Sequence, residues 1–185
     1  TCLVIHDLAF EHYPEHFVRS HKMYWRHYSP RFARKAARIA TVSTYSKDDI
    51  VKHYGINADN IDVVYNGAHA EYRPLSWQER EDVKTKYADG CEYFVFAGAL
   101  HPRKNIVNLL KAFIAFKKRQ RSNMKLVIVG RYAWKYEEVI EMREEMPFKD
   151  DVKWVGYMHV DELSKVIGGA YALVYPSLFE GFGIP

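Results

Sequence analysis

Two regimes of apolar and polar residues alternate along this chain. Short runs of β-branched and aromatic residues at 3–5, 39–43, 62–65, 93–97, 125–129, 152–155 and 172–175 predict strands. Between them, apolar positions three and four apart predict helices over 17–28, 47–54, 78–87, 106–121, 136–145 and 160–167. Strand–helix–strand succession of this kind signals βαβ units and a mainly parallel sheet, hence an α/β protein. Gly98, Gly130 and Gly156 each follow a strand directly, where the backbone must turn sharply and where ligands of open α/β sheets bind. Gly55 fits the stop of the helix before it, and Asp161 fits a cap or first-turn acid. Residues 66–77, with Gly67, Pro74 and Ser76, lack a clean period and separate two βα groups, so they read as an interdomain connection.

Composition narrows the class. In 185 residues, 48% are hydrophobic and 27% charged, enough for a packed core and too apolar for a disordered tail. The net charge of +4 is spread unevenly. Residues 1–15 carry only the acids Asp7, Glu11 and Glu15, whereas residues 16–47 carry eight Lys and Arg and no acid. Two cysteines, Cys2 and Cys91, are too few for a disulfide framework or zinc ribbon, and a reducing, cytoplasmic compartment is the expectation. No apolar run approaches the roughly 20 residues that span a bilayer. The chain opens at Thr1 without an initiator Met and stops at Pro185 in what reads as a strand-to-helix loop. Both ends read as cut, and the expectation is a piece of a larger protein.

Three constellations could carry chemistry. In Gly98-Ala99-Leu100-His101-Pro102-Arg103-Lys104-Asn105, a strand end leads into an amphipathic helix with Leu109, Leu110, Phe113 and Phe116 on its apolar side. Two cations at a helix N-terminus have the wrong sign for stability, by ~0.3 to 1 kcal/mol each if exposed, and an anion between them reverses that sign. Arg in a fork and Lys as a point charge then make a phosphate site; the alternative is two solvated loop cations. The second constellation is Pro176-Ser177 leading to Glu180-Gly181-Phe182-Gly183-Ile184-Pro185. Its glycines let backbone N–H groups approach a ligand while Glu180 accepts from hydroxyls, which suits a nucleotide sugar; the alternative is a bare glycine turn. Both lie at strand carboxyl ends and could face one cleft. The third is His6-Asp7, where Asp7 fixes the imidazole tautomer or caps the next turn, unless the histidine is merely structural.

Other strings fail. His12-Tyr13-Pro14-Glu15-His16 matches H-x-x-E-H, but Pro14 disfavours the single helix that zinc binding would need, so no metal is expected there. Neither a P-loop nor G-x-G-x-x-G occurs, nor a CxxC or serine elbow.

In order, these segments resemble the retaining glycosyltransferases of family 4. The matching pieces are Val4 to Leu8, Thr41-Val42-Ser43 with Ser46-Lys47, Val64-Tyr65-Asn66-Gly67, Gly98 to Asn105, Leu126 to Gly130, Val155-Gly156-Tyr157, and Pro176-Ser177 with Glu180 to Pro185. The resemblance implies a GT-B-like pair of Rossmann-like parallel-sheet domains, both incomplete. Residues 1–72 would be the later part of the N-terminal, acceptor-side domain and 73–185 the first part of the nucleotide-sugar donor domain. It also implies sugar transfer from a nucleoside diphosphate sugar, with retention, without a metal or other cofactor. Arg103 and Lys104 would hold the diphosphate, and Glu180 would contact donor sugar hydroxyls. Gly181, Phe182 and Gly183 would sit near sugar and phosphate. His6 would project from the opposite domain as the second catalytic group, and Gly130, Val155 and Tyr157 would border the base. The loop 101–105 looks like that of bacterial mannosyltransferases of surface polysaccharide assembly, which favours GDP-mannose over UDP- and other GDP-sugars.

Two departures stand out. Many members have arginine where this chain has Ala99, which shifts load to Arg103, and the second glutamate of the acidic motif would fall beyond Pro185. The family's N-terminal glycine-rich loop is missing too, so this piece is expected to be inactive alone. Rival readings are a nucleotide-sugar epimerase of the same fold and a basic nucleic-acid binder through residues 16–47, the latter disfavoured because no nucleic-acid module surrounds the stretch. With Phe17, Met23, Tyr24, Trp25, Tyr28 and Phe32 interleaved, that stretch looks more like a surface for an anionic membrane face or a lipid-pyrophosphate acceptor, or else a solvated helix face. The expected place of work is therefore the cytoplasm, peripheral to the inner face of the plasma membrane.

Overall fold

The structure, a computed structural model, describes residues 1–184. The chain forms two compact units, Thr1–Ala68 with Phe179–Ile184, and His69–Leu178. The break falls inside the irregular 66–77 stretch. Against the expected 1–72 and 73–185 boundaries, residues 69–72 fall in the second unit and residues 179–184 in the first.

The first unit is built on three parallel strands, β1 (Cys2–Val4), β2 (Arg38–Thr41) and β3 (Ile61–Val63), in the order β1-β2-β3. Leu3 pairs with Ile39, and Ile39 with Ile61. Leu8, Phe10, Ala33, Ile39, Ile50, Tyr54 and Ile61 form its core. Three helices supply that core: α1 (Ala9–His12), α2 (Arg19–Lys35) and α3 (Thr44–Tyr54). The sequence pattern ends the second of these at residue 28, before Pro30, but α2 runs on to Lys35 with Pro30 inside it. An interior proline costs about 3 kcal/mol through its lost N–H and its clash with the preceding turn. Burial of Ser29 and Ala33 on either side of Pro30 holds the helix, and the Arg31 guanidinium donates to the His27 carbonyl in the disturbed turn. α3 starts at the Ser43 cap, whose hydroxyl oxygen accepts from Ser46 N–H (3.1 Å), and stops at Gly55 in the left-handed region (φ 66°).

The second unit holds four parallel strands, β4 (Tyr93–Ala97), β5 (Lys125–Val129), β6 (Val152–Gly156) and β7 (Ala172–Leu173), ordered β6-β5-β4-β7. Side chains alternate across it. Tyr93, Val95, Ala97, Val127 and Val129 join Val83 and Ala88 of α4 (Trp77–Ala88) and Val166 of α7 (Val160–Gly169) on one face. Phe96, Leu126 and Ile128 join Leu109, Leu110 and Phe113 of α5 (Ile106–Gln120) and Val139 of α6 (Glu137–Glu145) on the other. The sheet is therefore covered on both faces, as parallel strands require. Each fully buried Leu, Ile or Phe contributes about 1.5–3 kcal/mol. A capping box opens α4: Glu79 N–H donates to the Ser76 hydroxyl (3.3 Å) and Ser76 N–H to the Glu79 carboxylate (2.7 Å). The Arg73 guanidinium, with that backbone bond, holds the Glu79 carboxyl down at about 2.

The sheet's carboxyl edge leaves no slack. At Gly130 (φ 150°) a Cβ would lie 1.8 Å from the Gly98 carbonyl oxygen, so the β4 and β5 exits can run side by side only without a side chain there. Gly130→Ala is expected to lower the unfolding free energy by more than the ~1 kcal/mol of an average substitution, because backbone must move, and so to lower the urea midpoint; an unchanged midpoint would contradict this packing.

Candidate functional site

In the second unit, the strand order places a topological switch between β4 and β7, since β5 and β6 continue on one side of β4 while β7 lies on the other. Open α/β sheets bind ligands at the carboxyl ends of strands beside such a switch. The loop leaving β4 carries Arg103 and Lys104 in a 3₁₀ turn, Pro102–Lys104. Asn105 then takes the left-handed conformation (φ 60°) and leads straight into α5.

Several contacts fix this loop. Leu100, 1% exposed, plugs the core, its N–H donating to the Arg131 carbonyl (2.9 Å) while its own carbonyl accepts from Ala133 N–H (3.1 Å). The buried His101 ring stacks on Trp134 at 4.6 Å. The Asn105 side-chain amide donates to the Pro176 carbonyl (3.0 Å), and Leu178 N–H donates to the Arg103 carbonyl (2.9 Å), tying the loop to the segment that follows β7. The Lys104 ammonium is buried, donates to the Tyr175 hydroxyl and lies 4.6 Å above that ring, which itself stacks on Phe96. Arg103 and Lys104 thus stand on a rigid turn at the positive end of a 15-residue helix, an arrangement that favours an anion.

Gly130 ends β5 and receives the neighbouring strand's carbonyl, its N–H donating to the Gly156 oxygen (2.8 Å). Val155 packs against the α4/α7-side core, and Tyr157, 75% exposed, stands beyond the end of β6. These three share one sheet edge with Arg103 and Lys104.

The first unit assembles a different set. Gly181 is buried against the loop after β1: a Cβ there would lie 2.5 Å from the His6 carbonyl oxygen and 2.8 Å from Asp7 Cβ. Ser43 donates its hydroxyl to the Gly181 carbonyl (2.6 Å), and the Ser46 hydroxyl stands 3.2 Å from the same oxygen and 3.0 Å from that of His6. The start of α3 therefore clamps the acidic motif onto His6, whose side chain is exposed. Phe179, 9% exposed, is held by the His12 ring (4.8 Å, stacked), Tyr13 and Tyr45, which fixes the residue just before Glu180. Phe182 lies 6.2 Å from Tyr65, and Gly183 is in the left-handed region (φ 85°). Asp7 closes the turn that leads into α1: its carboxylate accepts from Ala9 N–H at 3.0 Å.

Residues 78–185 match the family model for glycosyl transferases group 1, and residues 1–72 that for glycosyltransferase family 4. This chain belongs to the group 1 glycosyl transferases. Among curated relatives of this glycosyltransferase chain, the O-antigen chain mannosyltransferase RfbU of Salmonella typhimurium is 32% identical over 99% of the chain and 47% of the relative. The O-antigen chain mannosyltransferase B of Escherichia coli is 28% identical over 97% and 48%. The chain spans about half the length of these relatives. Its fold is similar to that of WaaG, a glycosyltransferase involved in lipopolysaccharide biosynthesis (TM-score 0.78, 18% identity, 99% of this chain and 52% of that one). It is likewise similar to that of Anabaena HepE in complex with UDP and glucose (TM-score 0.76, 17% identity, 95% and 46%). The fold class is thereby that of GT-B glycosyltransferases, α/β with parallel sheets.

Sequence reasoning missed some of the glycosyltransferase chain's supporting residues. Tyr175 read only as the end of a strand, yet its hydroxyl receives Lys104. Lys47, which belongs to a matching segment, donates to the Ile61 carbonyl (2.8 Å) and braces β3. Ser43 and Ser46 stood in a matching segment but gave no local sign of their partner 138 and 135 residues away.

Proposed function

We propose that the protein of which this chain is part transfers mannose from GDP-mannose to a glycan or lipid-linked acceptor, with retention and without a metal. The observation that carries the reading is the pairing of Arg103 and Lys104 with the N-terminus of α5 at the β4/β7 switch. Glycosyl transfer passes through an oxocarbenium-like state: the bond from the anomeric carbon to the phosphate oxygen breaks, the diphosphate leaves with the electron pair, and the acceptor oxygen bonds the same carbon while losing its proton. Positive groups fixed in advance where that charge grows are the largest source of catalysis available. Arg103 and Lys104 take that role, Glu180 accepts from sugar hydroxyls, and the amides around Phe182 and Gly183 approach sugar and phosphate. His6 is the second group assigned to the reacting sugar, while Gly130, Val155 and Tyr157 border the base. Mannose is supported by the similarity to RfbU and to its Escherichia coli counterpart, both O-antigen chain mannosyltransferases.

A second element of the reading concerns α2. Tyr24, Tyr28 and Phe32 stand one turn apart with their rings 4.8 and 5.7 Å from one to the next, and all three are exposed, as are Met23 and Trp25. Cationic and aromatic residues on one exposed helix suit an anionic membrane face, where each Lys or Arg near the surface adds about 1 kcal/mol. No helix among the described residues is long and apolar enough to cross a membrane, so the contact proposed is peripheral.

In the parent protein, Lys104→Ala is expected to lower kcat/KM with GDP-mannose by about 100-fold or more, from the magnitude of lost oxyanion-type stabilisation, and Glu180→Ala by about 10-fold or more, from lost charge-assisted hydrogen bonds to the sugar hydroxyls. Unchanged turnover in both variants would overturn the assigned roles, and isomerisation of the sugar without an acceptor would point to an epimerase instead. Co-sedimentation should be stronger with phosphatidylglycerol vesicles than with phosphatidylcholine vesicles and weaker for Trp25→Ser/Tyr28→Ser; equal binding to both lipids would remove the membrane contact.

A further inference from the structure

The H-x-x-E-H string at 12–16 does not form one helix: α1 ends at His12, a separate 3₁₀ turn covers Pro14–His16, and His16 stacks on Tyr13 at 5.2 Å. His12 instead meets two residues of α3. Its Nε2 lies 2.9 and 2.8 Å from the two carboxylate oxygens of Asp49. One helical turn further, His53 Nδ1 lies 3.0 Å from the same carboxylate and 3.1 Å from the Asp49 carbonyl oxygen. The two imidazole rings stand edge to face with centroids 5.0 Å apart. Three potential ligand atoms, one from each residue, thus fall within 4.8 Å of one another. The Asp49 side chain is 7% exposed and the two imidazoles 27% and 30%, so the carboxylate is sunk while the histidine side opens to solvent.

We propose that His12, Asp49 and His53 form a binding site for a divalent first-row transition metal, of which Zn²⁺ is the type, with water completing the coordination. The donor set decides the class of ion. Two imidazole nitrogens and one carboxylate suit Zn²⁺, Co²⁺ or Ni²⁺ and not Mg²⁺ or Ca²⁺, which take oxygen cages. Ligands about 2.0–2.1 Å from a tetrahedral Zn²⁺ lie about 3.3 Å apart, so the two contacts to Asp49 need to open by less than about half an ångström. Asp49 and His53 at i and i+4 on α3 already present their donors on one helix face. The entry of the ion requires each imidazole to offer a lone pair, so the proton moves to Nδ1 of His12 and to Nε2 of His53. A neutral imidazole changes tautomer with no net proton release, and a protonated one gives its proton to solvent.

The site is structural. The His12 ring that would bind the ion is the one that stacks on Phe179, the residue preceding Glu180. A bound ion fixes the tautomer and orientation of that ring and so stiffens the platform for the acidic motif, within the first unit. This inference is independent of the donor sugar and of the reaction proposed above.

The test is metal titration of the chain after chelator treatment. One equivalent of Zn²⁺ should bind and raise the thermal midpoint. Co²⁺ should give visible d–d bands with no thiolate charge-transfer band, which separates this site from Cys2 and Cys91. Asp49→Asn and His53→Gln should each weaken Zn²⁺ binding at least about 10-fold. His53 lies on a partly exposed helix face, so its variant should retain the parental circular dichroism and remain informative if Asp49→Asn fails to fold. Absence of stoichiometric uptake, a thiolate band, or uptake unaltered in folded His53→Gln would overturn the site.

Discussion

A buried parallel strand must turn at its carboxyl end with no side chain in the way, and the rest of the second unit depends on how that is met at Gly130. Its Cα faces the Gly98 carbonyl so closely that a methyl group would penetrate it. With the β4 and β5 exits pressed together, their loops bond through Leu100, Arg131 and Ala133. His101 is then carried onto Trp134, and the Pro102–Lys104 turn is delivered to the start of α5. The position of two cations thus follows from a steric constraint at a glycine. Burial of the Lys104 stem, with its head at the Tyr175 hydroxyl, restricts the side chain's rotamers, which is the preorganisation an electrostatic site needs.

The first unit meets a different requirement. A glycine-rich motif has little side chain to anchor it, and here backbone acceptors serve: the Gly181 carbonyl accepts a hydrogen bond from the Ser43 hydroxyl and lies within reach of Ser46, both at the start of α3. Phe179 provides the apolar anchor, buried among His12, Tyr13 and Tyr45. The hydroxyl that caps the helix also secures the motif, so cap and site share one residue. Asp49 and His53 lie further along the same helix and reach the same anchor through His12.

The fold was legible wherever burial was continuous. β4 and β5 match the residues expected from pattern alone, because strands covered on both faces read as unbroken apolar runs. Edges were less legible: β7 ends at Leu173, two residues short of its pattern, although Val174 N–H still donates to the Val95 carbonyl of β4 (2.8 Å). α2 outran its pattern because Ser29 and Ala33 pack on the core, a tertiary gain invisible to a rule that stops helices at proline. α1 is one turn long and has no period to detect. Of the candidate site, the placement of Arg103 and Lys104 beside a helix start was readable from the sequence. The packing of 179–184 with the first unit was not, because it rests on hydroxyl-to-carbonyl bonds spanning more than 130 residues. His12 shows the same limit from the other side: a motif string named one partner, His16, and the fold supplied two others.

The central claim is that the loop between β4 and α5 binds a diphosphate. The most direct measurement compares calorimetric affinities for GDP and guanosine in the parent protein and in Arg103→Ala/Lys104→Ala. The parent should hold GDP at least about 100-fold more tightly, because charge-assisted bonds to the diphosphate are each worth roughly 1.5–3 kcal/mol, and the double variant should lose that preference. Equal affinity for GDP and guanosine in the parent, or a preference that survives the double substitution, would contradict the account.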